Sequence, residues 1–364
     1  MLLKELGIDP FQEKFPWLGG DLQTLRDTFI RDQLLPATGE IIQIEIPSMP
    51  NKERGAGHLI AFLNRPHKSL EIRGVILILH GLGGSSRRSG LRRMALNFLK
   101  AGFAVLRLNL RGADPGRKFA PGTYSAKCDS DLKPVLVKAR EICRSLALTE
   151  NCKPESLPLF GVGISLGGTI LLNAYSGLAH HSIFQNQAVL DGLACISSPL
   201  DLVECSAAIE RPRNRFYQNW LLRRLVKQTI ADPFGLIDAE RDALIGRNNS
   251  SLLKVSSIRL FDSAITAPRW GYKDVDEYYE KASPLKKLLG DPYDLPNTLF
   301  VQSLDDPWVP SAALRKLSEK MGSYKPPFKV DICLSSRGGH NGFHGVNGCW
   351  SDEVVKRWLI KLAS

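Results

Sequence analysis

The sequence lacks long apolar runs. No window in its 364 residues approaches ~18 uninterrupted apolar residues, the length that a membrane-spanning helix requires. Its first segment, MLLKELGIDPFQEKFPW, carries acidic residues and no long apolar core, so a secretory signal peptide is not expected either. Together these two absences predict a globular protein of the cytoplasm.

The cysteines do not form the patterns that are typical of disulfide-linked or zinc-binding small domains. The seven cysteines are scattered, their number is odd, and no two of them form a CxxC pair. A disulfide framework calls for an even set of cysteines, and a structural zinc site calls for closely spaced pairs. We therefore expect a reducing compartment and neither a metal ion nor an organic cofactor.

Acidic residues are outnumbered, with 48 Lys and Arg against 37 Asp and Glu, and the formal net charge is +11. Such an excess can indicate a nucleic-acid partner. The sequence has no zinc-finger spacing, no aromatic-basic strand of the RNA-binding type and no basic tail. We therefore expect a basic globular protein with no nucleic-acid partner.

One basic segment leaves two interpretations open. Arg211–Lys227, RPRNRFYQNWLLRRLVK, has six cations, no acid, and aromatic and leucine side chains at helical spacing. Such a helix commonly packs its apolar stripe on the core of a globular domain, and this is the arrangement that we expect. The alternative is a peripheral contact with an anionic membrane surface.

Strand-like and helix-like segments alternate from Gly74 onward, which predicts a mostly parallel central sheet with helices on both faces. The strand-like runs are almost continuously apolar, as strands buried on both faces should be. Two earlier runs, EIIQIEI and HLIAFL, predict a leading antiparallel pair. The predicted strands of the core are Gly74–Leu79, Phe103–Asn109, Leu157–Val162, Ala188–Ile196, Thr298–Gln302 and Lys329–Leu334. The predicted helices are Leu91–Lys100, Asp129–Leu146, Gly168–Leu178, Ser311–Met321 and Asp352–Leu362.

The alternation is interrupted between Ile196 and Thr298. About a hundred residues there are mostly helix-like and rich in arginine and aromatic residues, which predicts a cap or lid inserted into the sheet. A plain second helical layer is the alternative. The predicted divisions are an amino-terminal extension with the leading strands (1–72), a first core part (73–200), a helical lid (201–295) and a second core part (296–364).

The segment LFGVGISLGGTILL, Leu159–Leu172, breaks an apolar strand with a serine between two glycines. Its Gly163-Ile164-Ser165-Leu166-Gly167 matches G-x-S-x-G, the nucleophile elbow of α/β-hydrolases. There the serine occupies a strained strand-to-helix turn, and the glycines avoid collisions with the neighbouring backbone. A strand before the motif and a helix after it satisfy the required context, so Ser165 is the predicted nucleophile.

A second loop, LILHGLGGSS (Leu77–Ser86), directly follows the first parallel strand. A tetrahedral oxyanion needs two N–H donors, one from such a loop and one from the residue after the nucleophile. We expect these donors to be the backbone amides of Leu82 and Leu166. His80 is expected to anchor the loop rather than to take part in chemistry.

The base and the acid should come from loops at the carboxyl ends of the last strands. In VQSLDDPWVP, Asp305 and Asp306 compete for the role of the acid, and we favour Asp306 because a proline turn follows it directly. Asp201 is a further alternative. In SSRGGHNGFHG, His340 is favoured as the base over His344.

Beyond these motifs, the chain resembles the YheT-type branch of the α/β-hydrolases, relatives of the eukaryotic ABHD lipases. PWLGGDLQTL (Pro16–Leu25) resembles the family's HLQT-like segment, with Asp21 where histidine is common. LNLRGADPG (Leu108–Gly116) resembles its N-x-RG loop, and GTYSAKCDSDL resembles the helix entry after it. Arg259–Leu285 resembles the lid signature, and LDDP and GGHNGF resemble the acid and base loops.

The resemblance implies an α/β-hydrolase fold with a helical lid and a triad of Ser165, Asp306 and His340. It implies esterase, lipase or acyltransferase activity on carboxylic esters, with a small-molecule or lipid ester as substrate. A peptidase or amidase of the same fold and a non-catalytic binding protein are the alternatives. The departures at Asp21 and in the basic lid helix bear on the substrate and not on the chemistry.

Overall fold

An eight-stranded sheet forms the centre of the computed structural model. The structure describes residues 2–30, 32–51, 55–150, 153, 156–178, 189–245, 255–290, 295–322 and 329–364. The strands are β1 (Glu40–Ile46), β2 (Gly57–Asn64), β3 (Gly74–Leu79), β4 (Phe103–Asn109), β5 (Leu159–Ile164), β6 (Gly192–Ile196), β7 (Asn297–Ser303) and β8 (Val330–Ser335). They lie in the order β1-β2-β4-β3-β5-β6-β7-β8. A hairpin of β9 (His344–Gly345) and β10 (Gly348–Cys349) follows.

Strand directions confirm the predicted architecture. β2 pairs antiparallel with β1 and β4, whereas every pair from β4 through β3, β5, β6 and β7 to β8 is parallel. The strand predicted at Ala188–Ile196 is shorter, since β6 begins at Gly192, and Ala188 lies outside the described residues. Asp191 precedes β6, and its carboxylate accepts a hydrogen bond from the Leu159 N–H.

Helices cover both faces of the sheet. They are α1 (Leu2–Glu5), α2 (Gly19–Phe29), α3 (Ser89–Lys100), α4 (Asp129–Thr149), α5 (Leu166–Leu178), α6 (Leu202–Ile209), α7 (Arg215–Ile230), α8 (Asp238–Leu244), α9 (Ile258–Phe261), α10 (Ala267–Arg269), α11 (Val275–Ala282), α12 (Leu285–Gly290), α13 (Ala312–Gly322) and α14 (Trp350–Ala363). The apolar faces of α3 and α14 form one core with the sheet, and those of α4 and α5 form the other. Among the described residues, none of these helices has both the length and the apolarity that crossing a bilayer demands.

The described secondary structure between β6 and β7 consists of helices, α6 to α12 among them, joined by turns and loops. Part of it has a separate apolar cluster, in which Tyr217, Leu221 and Leu225 of α7 are buried. The helices α11 and α12 instead pack into the main core. On the other side of α7, Phe216 is 69% exposed and Trp220 is 38% exposed. The apolar stripe of the basic segment thus packs inward, whereas the Phe216 ring is mostly exposed and the Trp220 ring is partly exposed.

A buried ion pair connects the loop after β4 to α4. Arg111 donates from Nε and one terminal nitrogen to both carboxylate oxygens of Asp131, at 2.8 and 2.7 Å, and the two side chains are 0% and 2% exposed. The same guanidinium donates to the carbonyls of Pro47 and Pro121. One cation therefore holds together the leading strands, the loop after β4 and the first turn of α4.

Arg111→Met is expected to lower the free energy of unfolding by about 3–5 kcal/mol, because Asp131 would keep an uncompensated charge in the interior. Urea denaturation measures the loss. The double variant Arg111→Met/Asp131→Leu should recover most of it. The exposed pair Lys138–Glu141 supplies the control, and Lys138→Met should cost less than about 1 kcal/mol. A single variant as stable as the double variant would contradict the expectation.

Candidate active site

Ser165 lies at the sharp turn between β5 and α5. Its φ of 54° is in the left-handed region, which is uncommon for a residue with a side chain. The turn is held from both sides, because the Ser165 N–H donates to the Ile196 carbonyl at 2.8 Å and the Gly168 N–H donates to the Ser165 carbonyl at 3.0 Å. This conformation presents the hydroxyl at the carboxyl end of the sheet, where α5 begins.

The two glycines of the motif are required by close backbone contacts. A Cβ on Gly163 would lie 2.2 Å from the Gly168 nitrogen, and a Cβ on Gly167 would lie 2.5 Å from the Leu79 carbonyl oxygen. Real Cβ atoms do not approach backbone so closely, so any other residue would force the turn or the neighbouring strand to move. The serine is thus held in a turn that the flanking sequence makes tight.

A line of hydrogen bonds joins Ser165 to two side chains from other loops. His340 Nε2 lies 2.9 Å from Ser165 Oγ, and His340 Nδ1 lies 2.9 Å from Asp306 Oδ2. The imidazole is 4% exposed and the carboxylate 1% exposed. The other oxygen, Asp306 Oδ1, accepts the N–H groups of Trp308 and Val309. The carboxylate is therefore fixed by its own turn, with one oxygen left for the imidazole.

Asp305 has a separate role in the same region. Its Oδ1 accepts the Gly339 N–H at 2.9 Å, and so it holds the backbone of the loop that carries His340. The His340 N–H in turn donates to Thr24 Oγ1 of α2 at 2.8 Å. The two neighbouring aspartates thus face different parts of one loop, Asp305 its backbone and Asp306 its imidazole.

The remaining candidates for acid and base make other contacts. Asp201 is the N-cap of α6, and its carboxylate accepts the Glu204 N–H. His344 Nε2 lies 2.9 Å from Asp27 Oδ1, and the backbone N–H of His344 donates to Gln23 Oε1. Neither Asp201 nor His344 is bonded to Ser165 or His340.

Buried His344 belongs to a polar cluster with the half-buried Asp27 and Asp32, and the ligand-type atoms of the three residues lie within 4.8 Å of one another. Burial alone would raise the pKa of Asp27, but His344 and Arg93 outweigh it and hold that pKa below its ordinary value. Arg93 donates to Asp27 at 2.6 Å, and Arg26 donates to both oxygens of Asp32. Two arginines already neutralise the two carboxylates, which makes the cluster a poor cation site.

The loop after β3 lies against the serine. A Cβ on Gly81 would be 2.9 Å from Ser165 Cβ, so the loop approaches the turn as closely as a glycine allows. The Tyr124 hydroxyl braces the loop by accepting the Gly83 N–H and donating to the Gly81 carbonyl. Within the described part of the chain, the N–H groups of Leu82 and Leu166 have no hydrogen-bond partner. Both donors are therefore available to a ligand.

His80 is buried beneath this loop. Its Nδ1–H donates to the Gly81 carbonyl at 2.9 Å, and its Nε2 accepts the Leu110 N–H at 3.3 Å. Burial lowers the pKa of His80 to about 4, so the ring is neutral at physiological pH. Both ring nitrogens are thus engaged with backbone, as an anchoring residue requires.

A cavity of about 610 Å³ opens over Ser165 and His340. Its walls come from α2, the loop after β3, the start of α3 and the helical segment between β6 and β7. Apolar and aromatic side chains of that segment face the cavity, among them Leu202, Ile209, Leu221, Ile258, Tyr278 and Tyr279. The cavity has the size and mainly apolar lining of a small-molecule site.

Sequence reasoning missed the contribution of α2. Gln23, Thr24 and Asp27 of this helix line the cavity, and Thr24 binds the loop of His340. Asp21, where the family commonly has histidine, accepts hydrogen bonds from Tyr217 and Arg213 of the helical segment. The match at Pro16–Leu25 was the one available signal that this helix belongs to the site.

Comparison with known proteins agrees with this architecture. The model of the Alpha/beta hydrolase family matches residues 76–356. Phospholipase ABHD3 of Bos taurus is 27% identical over 295 residues, which cover 79% of this chain and 63% of that protein. YheT of Escherichia coli (strain K12) is 31% identical over 210 residues, covering 56% of this chain and 55% of that protein. The chain thus spans less than two thirds of the length of these relatives.

Among solved structures, an esterase of Pyrococcus furiosus has a TM-score of 0.50 with this chain. The match covers 91% of this chain and 97% of that one at 16% identity, which is a likeness of fold alone. The family model, in contrast, covers well over half of the sequence. The resemblance to the YheT-type branch is confirmed, and the chain belongs to the alpha/beta hydrolase family.

Proposed function

We propose that the chain is a serine hydrolase that cleaves carboxylic esters, with Ser165 as nucleophile, His340 as general base and Asp306 as the orienting acid. The observation that carries this proposal is the line of two 2.9 Å hydrogen bonds from Ser165 Oγ through the imidazole to Asp306. Nucleophile, base and orienting group within hydrogen-bond reach are the signature of covalent acyl transfer.

In the proposed reaction, His340 Nε2 removes the proton of Ser165 as Oγ attacks the ester carbonyl. Asp306 keeps the proton of the imidazole on Nδ1 and stabilises the imidazolium that forms. The amides of Leu82 and Leu166 bind the oxyanion, and one such donor is typically worth ~3 kcal/mol. The imidazolium then protonates the departing alcohol, and water, activated by the same base, releases the acyl group.

The proposed substrate is an ester with an apolar acyl part. The apolar walls of the cavity support this, because burying hydrocarbon there is favourable at about 25 cal/mol per Å². The name of the ABHD3 relative, a phospholipase, agrees with a lipid ester. A peptidase would need further polar groups to bind the peptide backbone, and the apolar walls do not favour that alternative.

We further propose that residues 201–295 act as a lid. Side chains from α6, α7 and α9 form one wall of the cavity, so the segment separates Ser165 from solvent on that side. Excluding water strengthens the electrostatic interactions that the reaction uses. Phe216, 69% exposed on a basic helix, would suit a peripheral contact with an anionic membrane surface.

The test is active-site labelling with a fluorophosphonate. The wild-type protein should be labelled on Ser165, and Ser165→Ala should not be labelled although its circular dichroism is unchanged. p-Nitrophenyl esters of graded chain length and aminoacyl amides, assayed side by side, should show faster ester turnover. A folded wild-type protein that resists labelling would refute the hydrolase proposal, and faster amide turnover would favour a peptidase.

A further inference from the structure

Two arginines flank one tryptophan on the cavity wall. The guanidinium carbon of Arg88 lies 5.6 Å from the centre of the Trp220 ring, and that of Arg224 lies 5.1 Å from it. All three residues line the cavity above Ser165. Arg88 comes from the loop before α3 and Arg224 from α7, so two remote segments bring like charges to one ring.

Both cations lack an acidic partner in the part of the chain that the structure describes. No carboxylate there forms an ion pair with Arg88 or Arg224, although three acidic residues line the same cavity. Asp27 and Asp352 are bound by Arg93, and Asp262 accepts the hydroxyls of Thr266 and Tyr279.

Arg224 uses one terminal nitrogen to donate to the Gly83 carbonyl at 2.8 Å. Its Nε is buried and has no hydrogen-bond partner among the described residues, which is an unusual state for a guanidinium nitrogen. Burial and the neighbouring Arg224 charge together lower the pKa of Arg88 to about 10. The contacts with the Trp220 ring offset part of the free-energy cost of burying the two charges. A ring that stacks on a guanidinium cannot, however, accept the hydrogen bonds that the N–H groups donate in the guanidinium plane.

The start of α3 adds to the positive character of this wall. Arg88 is the N-cap residue, no acidic residue is present in the first turn, and no side chain caps the helix. Ser89 and Gly90, whose N–H groups belong to the unsatisfied first turn, also line the cavity. A helix of this length places partial positive charge at such an end, where an anion is favoured.

We propose that Arg88 and Arg224 form a subsite for an anionic oxygen group, a phosphate or a carboxylate, on the ester substrate. The inference rests on the proposed esterase function and narrows its substrate class. Gly83, which Arg224 binds, is two residues beyond Gly81, and two residues of chain span at most about 7 Å. Because Gly81 lies against Ser165, this loop connects the subsite to the proposed nucleophile, and we expect the charged group near the scissile ester.

The experiment compares esters that differ only in charge. In the phosphate arm, a 1-acylglycerol 3-phosphate is compared with the monoacylglycerol of the same chain, both below their micelle-forming concentrations. In the carboxylate arm, mono-p-nitrophenyl glutarate is compared with its methyl ester. Wild type should prefer the charged member of at least one pair in kcat/KM, and the arm that responds identifies the group.

Arg88→Gln and Arg224→Gln should each reduce that preference by about 10- to 100-fold, the usual loss for one hydrogen bond to a charged group. The readout is the ratio of kcat/KM for the charged ester to kcat/KM for the neutral ester. Arg224 also supports the Gly83 loop, and damage to that loop would slow both esters equally and leave the ratio unchanged. Arg87→Gln and Arg223→Gln are matched controls. Each is the exposed neighbour of a subsite arginine and does not line the cavity, so the preference should not change.

A binding measurement separates this inference from the hydrolase proposal. Ser165→Ala should bind the acylglycerol phosphate in calorimetry, and adding Arg88→Gln should weaken that binding about 10-fold or more. Ser165-dependent turnover without charge preference in either pair would overturn the subsite and leave the hydrolase standing. If binding depends on Arg88 but the protein turns over no ester, the subsite stands and the hydrolase proposal fails. Equal effects of the subsite and control variants would also overturn the subsite.

Discussion

His340→Ala is expected to lower kcat for ester hydrolysis by about 10⁶-fold, the scale seen when the base of such a triad is removed. Its Nε2 is the titratable group that contacts Ser165 Oγ, at 2.9 Å, so without it the hydroxyl has no acceptor for its proton. Single-turnover and steady-state assays with p-nitrophenyl esters measure the loss. Binding of the ester should change little, because the imidazole contributes chemistry rather than hydrophobic area.

His344 provides a matched control from the same loop. It is also buried and also lies beside an aspartate, but that aspartate is Asp27. His344→Ala is expected to keep most of kcat and to lower the free energy of unfolding by about 1–3 kcal/mol, because the half-buried carboxylate of Asp27 loses a polar neighbour. If both histidine variants lost activity equally, the assignment of the base to His340 would be wrong.

Asp306→Asn is expected to lower kcat by about 10⁴-fold with little effect on folding. The amide would still fit the turn, since its oxygen can accept the Trp308 and Val309 N–H groups as Asp306 Oδ1 does. Its NH₂ group would then face His340 Nδ1 and favour the tautomer that places a proton on Nε2. That nitrogen could no longer take the proton of Ser165. The pH profile of kcat/KM on a p-nitrophenyl ester, together with thermal unfolding, tests both parts of the expectation.

Asp305→Asn is the control for this variant, since it makes the same chemical change one residue earlier. Asp305 accepts the Gly339 N–H with one oxygen, and an amide oxygen can accept the same hydrogen bond. The kcat of Asp305→Asn should therefore stay far above that of Asp306→Asn. The reverse order of the two variants would assign the acid to Asp305.

The parts of the fold that the sequence predicts well are those encoded by neighbouring residues. Apolar runs at the right spacing predicted β3 to β8 and the helices α3, α4, α5, α13 and α14. The bounds of β3 and β4 match the prediction, and the ends of the other elements shift by at most a few residues. The serine motif was equally local, because the close contacts of Gly163 and Gly167 are made by the turn and by the adjacent strand β3. Periodicity and turn chemistry carry such information directly.

The parts that the sequence left open depend on distant contacts. The sequence favours Asp306 over Asp305 as the acid only through the proline that follows it. In the structure the two differ in the backbone N–H groups from which they accept hydrogen bonds. The role of Thr24 rests on a hydrogen bond to a residue 316 positions away. Likewise, the charge of Arg88 became informative only when α7 placed Arg224 and Trp220 beside it. No periodic pattern records such pairs.

The helix α2 makes two contacts whose combination has a mechanical consequence. Thr24 supports the loop that carries His340. Asp21, one turn earlier, accepts hydrogen bonds from Tyr217 within α7 and from Arg213 just before it. If α7 moved, its hydrogen bond to Asp21 would pull on α2, and through this helix the pull would reach the Thr24 contact with the His340 loop. One short helix thus joins the cavity wall to the loop of the proposed base, so a lid movement of the kind proposed above would also be felt at His340.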